Sequence, residues 1–435
     1  MTVVPASNRT TYRDLFRIRS FPRLATSVML ARTASQMMLL TLVLFVLQRF
    51  RSPSLAGITV FLSIAPGVAL SPIAGALLER HGRVRLITLD YLVGFVTLAL
   101  IAGLDLSGRL TPWVLLPIVT ISSLTYSLSN SGARSLLPLI VPARLWDRVN
   151  ALDSIAYALT IGAGPAVAGA LTAWAGPRLA LTVTAGVFLL AALLIMPLAE
   201  PVAAGAARSV AAEAWAGLTY VLVHNAALRG IALTVSMLNV GFGIVVVALP
   251  VMVLQRLHGN AALVGGLWAV YGLASVPSAL IAGRISSEGR ERLVMIVADV
   301  VAGVAVALLA FAGNAWLVAL ALMIAGLANG PFDVSMFSMR QRRTDPAWYG
   351  RAFAVSMGLN WAGQPIGSAI SGPLIHIGLT VAFLVAAGLV LVAAGLVFWV
   401  IPGEPAGTIP IESARQSRRD RPVEESPSSA EQGAG

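Results

Sequence analysis

The sequence contains no cysteine and no lysine, and only 11% of its 435 residues are charged. Without thiols there is no disulfide framework, no thiolate metal site and no iron–sulfur cluster. Without lysine there is no Walker A loop, whose Lys must reach the nucleotide phosphates, and no Schiff-base chemistry. Histidine is sparse too. His81, His224, His258 and His376 are scattered, and none pairs at metal-ligand spacing. A soluble domain carries about 25% charged residues. With less than half of that, and 57% hydrophobic residues, most of this chain has to be dissolved in lipid.

What is present is long apolar runs. Twelve windows of about 20 residues, from 24–48 to 379–401, read as membrane-spanning helices. Most connections between them are very short. The longest, 199–227, is rich in Ala and divides the chain into two six-span halves, 24–198 and 228–401. Within it Trp215, Leu218 and Leu222 share one helical face, which predicts a short amphipathic helix on the membrane surface. Residues 1–23 form a basic leading segment. The polar tail 402–435, rich in Ser, Glu and Arg, is expected to be disordered. The expected fold is an all-α membrane protein of twelve transmembrane helices.

The net charge of +11 comes from arginine alone. The leading segment, the even-numbered connections and the tail hold 24 of the 30 arginines. The odd-numbered connections hold five (Arg49, Arg51, Arg109, Arg178 and Arg256), and Arg32 lies inside a span. Positive loops stay inside, so both termini are expected in the cytoplasm. This bias accounts for the basicity without a nucleic-acid partner. No small-residue cleavage site follows Arg23, so the first span is expected to remain as an anchor. Arg-only, Ala-rich usage resembles that of a GC-rich bacterial genome, so a bacterial inner membrane is the expected location. No connection is long enough to carry a catalytic constellation, so no enzyme activity, cofactor or metal is expected.

The halves echo one another. Residues 73–94 read IAGALLERHGRVRLITLDYLVG and residues 281–303 read IAGRISSEGRERLVMIVADVVAG. The pairs are Gly75/Gly283, Gly82/Gly289, Arg85/Arg292, Asp90/Asp299 and Gly94/Gly303. Gly164-Pro165 is echoed by Gly363-Gln364-Pro365. Two echoes about 200 residues apart, each at the same place in its half, give two six-helix halves related by a parallel pseudo-repeat, an arrangement of transporters with a site between the halves.

GALLERHGRVRL (75–86) resembles the loop between spans 2 and 3 of the major facilitator superfamily. The resemblance implies a latch between the halves made by Gly75, Glu79, Arg80, Gly82 and Arg83, with Glu79 where the family usually has Asp. Gly82 provides backbone freedom in a tight loop. The plainer reading is a short turn with topology-setting arginines. Residues 132–170 resemble the span 4–5 segment of an exporter subgroup that includes the enterobactin and macrolide-efflux proteins. Arg134, Pro138, Pro142, Asn150, Gly164, Pro165 and Gly169 carry that resemblance, and Gly164-Pro165 is similar to the antiporter motif of span 5. Residues 326–355 and Ala31-Arg32-Thr33 agree. The middle of span 4 lacks the Arg that many proton-coupled members carry. The resemblance implies a gradient-driven exporter of a drug, natural product or siderophore, monomeric in the bilayer, with a proton as coupling ion. Uptake of a nutrient and lipid translocation are the alternatives.

Polar residues inside spans are costly and usually functional or paired. Arg32, Ser35 and Gln36 share one face of span 1. Span 4 offers Tyr126 and Asn130, span 5 Asp153, span 10 Asn329 and Asp333, and span 11 Ser356, Asn360, Gln364 and Ser368. By resemblance spans 1, 4, 7 and 10 line the cavity, which adds Asn239 on span 7. The expected ligand-binding set is therefore Arg32, Ser35, Gln36, Tyr126, Asn130, Asn239, Asn329, Asn360 and Gln364. Arg134, Asp153, Gly164, Pro165 and Gly169 are expected at the gates. Arg32 lies about 12 Å along its helix, too deep to reach water by snorkelling alone. It either meets an anionic or polar part of the substrate or forms a structural pair with Asp153 or Asp333. Asp153 could instead meet Arg134 or Arg80. Asp90 and Asp299 are expected to pair with gate arginines.

Overall fold

Inside lipid each backbone N–H and C=O must be satisfied within its own segment, which leaves an apolar chain of this kind the helix. A computed structural model describes residues 12–200, 210–285, 287–345 and 348–403, and among them helices are the regular structure. The described residues from 12 to 401 form one compact unit. The leading residues 1–11 and the tail beyond Gly403 lie outside the described residues.

Span 1 is Phe21–Phe50. Span 2 is Pro53–Ala69 continued by Ser71–His81, and span 3 is Arg83–Leu106. Span 4 is Pro112–Ser123 continued by Tyr126–Ile140. The helix Trp146–Ile195 holds spans 5 and 6, which part where Ala175 and Gly176 leave helical geometry. The second half follows with span 7 at Ala226–Val251, span 8 at Ala261–Ala282 and span 9 at Glu291–Phe311. Span 10 is Ala315–Arg342, span 11 is Tyr349–Trp361 continued by Gly363–Ile377, and span 12 is Leu379–Val400. Proline explains two of the breaks. Pro72 has no N–H for the Val68 carbonyl and Pro365 none for Trp361, so spans 2 and 11 break at Leu70 and Ala362.

The repeat extends to geometry. Gly82 and Gly289 both take left-handed backbone, φ 89° and 73°, which glycine adopts without a Cβ penalty. Gly94 faces Phe188 on span 6, and its counterpart Gly303 faces Leu391 on span 12. The structure exposes a third echo, Val46-Leu47-Gln48-Arg49 against Val253-Leu254-Gln255-Arg256. Each run leads to a left-handed residue that is not glycine, Arg51 or His258, both at φ 51°. Ser52 and Asn260 then cap the next helix, accepting from Leu55 N and Leu263 N.

The halves meet along two seams of small residues. On spans 5 and 8 a Cβ added to Gly272 would lie 2.6 Å from Gly162 Cα, one on Gly265 2.4 Å from the Pro165 carbonyl, and one on Gly169 2.4 Å from that of Ala261. On spans 2 and 11 a Cβ on Gly57 would lie 2.2 Å from the Ser368 carbonyl, and one on Gly372 2.3 Å from Ser54 Cα. The connection between the halves forms a helix, Val210–Thr219, that touches spans 2 and 11 at the arginine-rich end. Trp215 is 67% exposed there, while Leu218 and Leu222 are half-buried. Tyr220 follows and stacks on Trp348 at 4.8 Å.

Candidate functional site

Gly164 lets spans 1 and 5 come close. A Cβ there would lie 2.5 Å from Gln36 Cβ and 3.0 Å from the Thr33 carbonyl. This approach sets Arg32 against span 5. Its Nη1 donates to Asp153 Oδ1 at 2.6 Å and its Nη2 to Oδ2 at 3.2 Å. The guanidinium also lies 5.6 Å from the centre of the Tyr157 ring, within cation–π range. Of the two pairs open to Arg32 in the sequence, the structure makes the one with Asp153, and Asp153 takes neither Arg134 nor Arg80 into that pair. Ser35 turns its hydroxyl to the Ala31 carbonyl.

Tyr157 feels Arg32, Arg134 and Asp153 from the first half and Asp333 from the second. Tyr126 lies within the fields of Tyr157, Asp90 and Arg134. Asp90 lies beside Ser129 and Thr125 of span 4, and among the described residues it takes part in no ion pair with the expected gate arginine. On span 10, Asn329 donates to Asp333 at 3.0 Å. Tyr271 on span 8 feels both Asp333 and Tyr157. Its ring lies 5.9 Å from Trp268 and 6.3 Å from Phe242, and those two are 5.6 Å apart. This aromatic wall was not read from the sequence. Trp268 and Tyr271, three apart on one helix face, were the available signal.

Other predicted residues stand elsewhere. Asn360 and Gln364, with Ser356 and Ser368, are buried in contacts between spans. Asn239 donates to the Asn360 carbonyl at 2.9 Å, and Ser368 to that of Gly243 at 3.1 Å. The Asn360 carboxamide, with its oxygen toward Arg340 (2.6 Å), gives its nitrogen to the Ser356 carbonyl. Arg340 is 1% exposed and reaches the Met357 sulfur at 2.9 Å. Asn130 and Arg80 are exposed. Asp299 is buried with Oδ2 unpartnered among the described residues, not paired as expected.

Near the predicted latch, Arg83 pairs with the start of the connection that leaves its half. Its Nη1 meets Glu200 Oε1 at 3.2 Å, its Nε donates to Ser135, and Glu200 Oε2 accepts Val84 N at the start of span 3. The surroundings of Gly75 and the side chains of Glu79, Pro138 and Asn150 lie outside the described residues. In the second half Arg342 pairs with Glu291 at 2.7 Å. At the opposite end Asp105 binds both Arg49 (2.8 Å) and Arg178. Glu200, Glu291 and Asp105 were missed because each is a single acid at a span end, with no motif around it.

A bundle of helices in two repeated halves, nine of them among the described residues long and apolar enough to cross a membrane, is a polytopic membrane carrier. The sequence profile of the Major Facilitator Superfamily matches residues 24–288 and 231–430, and the chain belongs to that superfamily. It is 36% identical over 407 residues to y4rN, an MFS-type transporter of Sinorhizobium fredii, covering 90% of this chain and 97% of the relative. Among solved structures it is similar to the nucleoside transporter NupG, with TM-score 0.69 and 16% identity over 89% of this chain and all of that one. A point mutant of NupG gives TM-score 0.72 and 17% identity, covering 88% and 99%. At such identities the likeness is one of fold.

Proposed function

We propose that this chain is a secondary active transporter that exports a small organic molecule across the bacterial inner membrane by alternating access, in exchange for protons. The observation that carries the reading is the cluster on Tyr157. Charged groups from both halves converge there, so a molecule held in it engages both bodies that rock about the site. The moving bodies are the halves 24–198 and 228–401, tied by the cytoplasmic connection 199–227. Gln36, Tyr126, Asn329 and Asp333 are the residues assigned to the ligand side, with the Arg32–Asp153 pair beside them, and Glu79, Arg80 and Gly82 to the latch. A gradient drives the cycle, since a chain without lysine has no nucleotide loop of its own.

Export is favoured by the likeness of residues 132–170 to the exporter subgroup, with Gly164 and Gly169 placed in close helix contacts. Uptake is the second reading, favoured by a fold neighbour that is a nucleoside transporter. Everted and right-side-out vesicles containing the protein separate them. With labelled erythromycin, siderophores and uridine as probes, accumulation is expected in respiring everted vesicles and should collapse with a protonophore. Accumulation confined to right-side-out vesicles reverses the direction, and transport that needs ATP without an ion gradient removes the mechanism.

A further inference from the structure

Of the five arginines at the end away from the arginine-rich loops, three are tied down. Arg49 and Arg178 share Asp105, and Arg256 donates to the Ala310 carbonyl at 2.9 Å. Arg109 is exposed on its loop. Arg51 has a different setting. It lines a cavity of about 350 Å³, together with Leu47 and Gln48 of span 1 and Val251, Leu254 and Gln255 of span 7. Among the described residues Arg51 takes part in no ion pair.

The cavity is built from both halves. An offset of 207 residues relates Leu47 to Leu254 and Gln48 to Gln255, so each half supplies one leucine and one carboxamide. Leu47 and Val251 are buried in one apolar cluster with Val247, and Leu254 packs against it. These side chains form the floor, while Gln48, Gln255 and Arg51 are exposed at the rim. The same offset relates Arg51 to His258, but Arg51 lines the cavity and His258 does not. The symmetric site therefore carries one cation. Its place is fixed by the backbone. Arg51 ends span 1 in left-handed geometry, and Ser52 caps the next helix by accepting Leu55 N. This site is not the cluster on Tyr157, because Gln48 lies 16 residues beyond Arg32, about 24 Å along the helix.

We propose that this cavity is a second ligand site, which takes an organic anion. The carboxylate lies at Arg51 between the carboxamides of Gln48 and Gln255, and the apolar body rests on Leu47, Val251 and Leu254. A guanidinium grips a carboxylate through two parallel hydrogen bonds, and each carboxamide has N–H groups to add. The volume is at the lower end of the range of about 300–1,000 Å³ for small-molecule sites. Since the lining comes from spans 1 and 7, an anion bound there favours the arrangement in which these two helix ends stand as they do here. Binding requires no step of transport, so the proposal holds apart from the reading of the chain as an exporter.

The test is calorimetric binding to the purified full chain in nanodiscs, with 2-naphthoate as the probe and the uncharged 2-naphthamide as its match. The acid is expected to bind about tenfold more tightly than the amide. Arg51→Gln should erase that advantage, and Gln255→Trp, which fills the cavity from the other half, should weaken both probes at least tenfold. Arg109→Gln, an exposed arginine at the same end, should change neither affinity. Thermal melts establish that each variant is folded, and should Arg51→Gln not fold, Gln255→Trp decides with the wild-type pair. Equal affinities for acid and amide, or no binding of either, overturn the proposal. So does naphthoate binding that survives both Arg51→Gln and Gln255→Trp, because the anion then sits elsewhere. An equal loss in Arg109→Gln also overturns it, since general surface charge would then account for the preference.

Discussion

Arg32 and Asp153 are 121 positions apart in the chain, yet their side chains meet through two contacts, 2.6 and 3.2 Å, over the face of Tyr157. The side chains are 14% and 20% exposed, so neither charge is fully hydrated and each is held by the other. Arg32→Gln is expected to lower the melting temperature of the detergent-solubilised protein. The loss should be about 2 kcal/mol, below the 3–5 of a fully buried pair, because some water reaches this one. Adding Asp153→Asn should recover most of it. If the single variant is stable but transport is lost, Arg32 serves the ligand and not the frame.

At the opposite end Asp105 is shared. Its side chain is 1% exposed, whereas Arg49 and Arg178 are 44% and 53% exposed. Removing one arginine leaves the carboxylate a partner, so Arg49→Gln and Arg178→Gln should each cost about 0.5 kcal/mol, within the range of exposed pairs. The double variant should cost distinctly more than their sum. Strict additivity in thermal melts would mean that the two pairs do not compensate for each other.

The seam between spans 5 and 8 has no room for a methyl group. Gly169→Val would drive side-chain atoms into the Ala261 carbonyl and the Gly265 backbone, neither of which can step aside. Spin labels near Gly176 and Gly259 should then report a wider distance than in the parent protein, with transport lost and expression kept. An unchanged distance distribution would show that the contact tolerates a side chain.

Two acids near the predicted latch should behave differently. Glu200, at the start of the connection, binds Arg83 and Val84 N of the first half and nothing of the second, so Glu200→Gln should destabilise by about 1 kcal/mol, the scale of a lost helix cap. The distance between spans 2 and 11 should not move. Glu79→Gln should shift that distance toward the state open to the cytoplasm, and a distribution indifferent to it would take Glu79 out of the latch.

The 24-to-5 arginine bias is the ground for expecting both termini in the cytoplasm. Alkaline phosphatase fused after Gly435 should be inactive and one fused at Ser107 active. The opposite pattern would invert the topology.

The spans and the repeat were legible in the sequence because lipid imposes both length and composition on a helix. The left-handed loop glycines Gly82 and Gly289 followed from the echo. The partner of Arg32 was not fixed in advance. Choosing Asp153 over Asp333 depends on how closely spans 1 and 5 approach, and that is set by a missing Cβ at Gly164. The polar stripe of span 11 was visible as a period of four, but its destination was not. A stripe that lines a cavity and one that joins two helices have the same spacing, and Asn360 and Gln364 turn out to be buried between helices. Phe242 and Trp268 were hidden for the opposite reason, since an aromatic residue in a chain this apolar carries no contrast.

The glycine seam between spans 5 and 8 is backbone against backbone, whereas Ser54 and Ser371 place hydroxyls in the seam between spans 2 and 11. When the first of these opens and closes, no side chain has to choose a rotamer, so the conformational entropy that ordinary interfaces lose on docking is absent there. Close Cα–H···O=C approaches, weak singly and repeated along the helices, are the attraction such a surface can offer. Contact of that kind is shallow and reversible, closer to a bearing than to a lock. Positions 57, 162, 169, 265, 272 and 372 would then be where relatives that move as this chain does keep nothing larger than hydrogen.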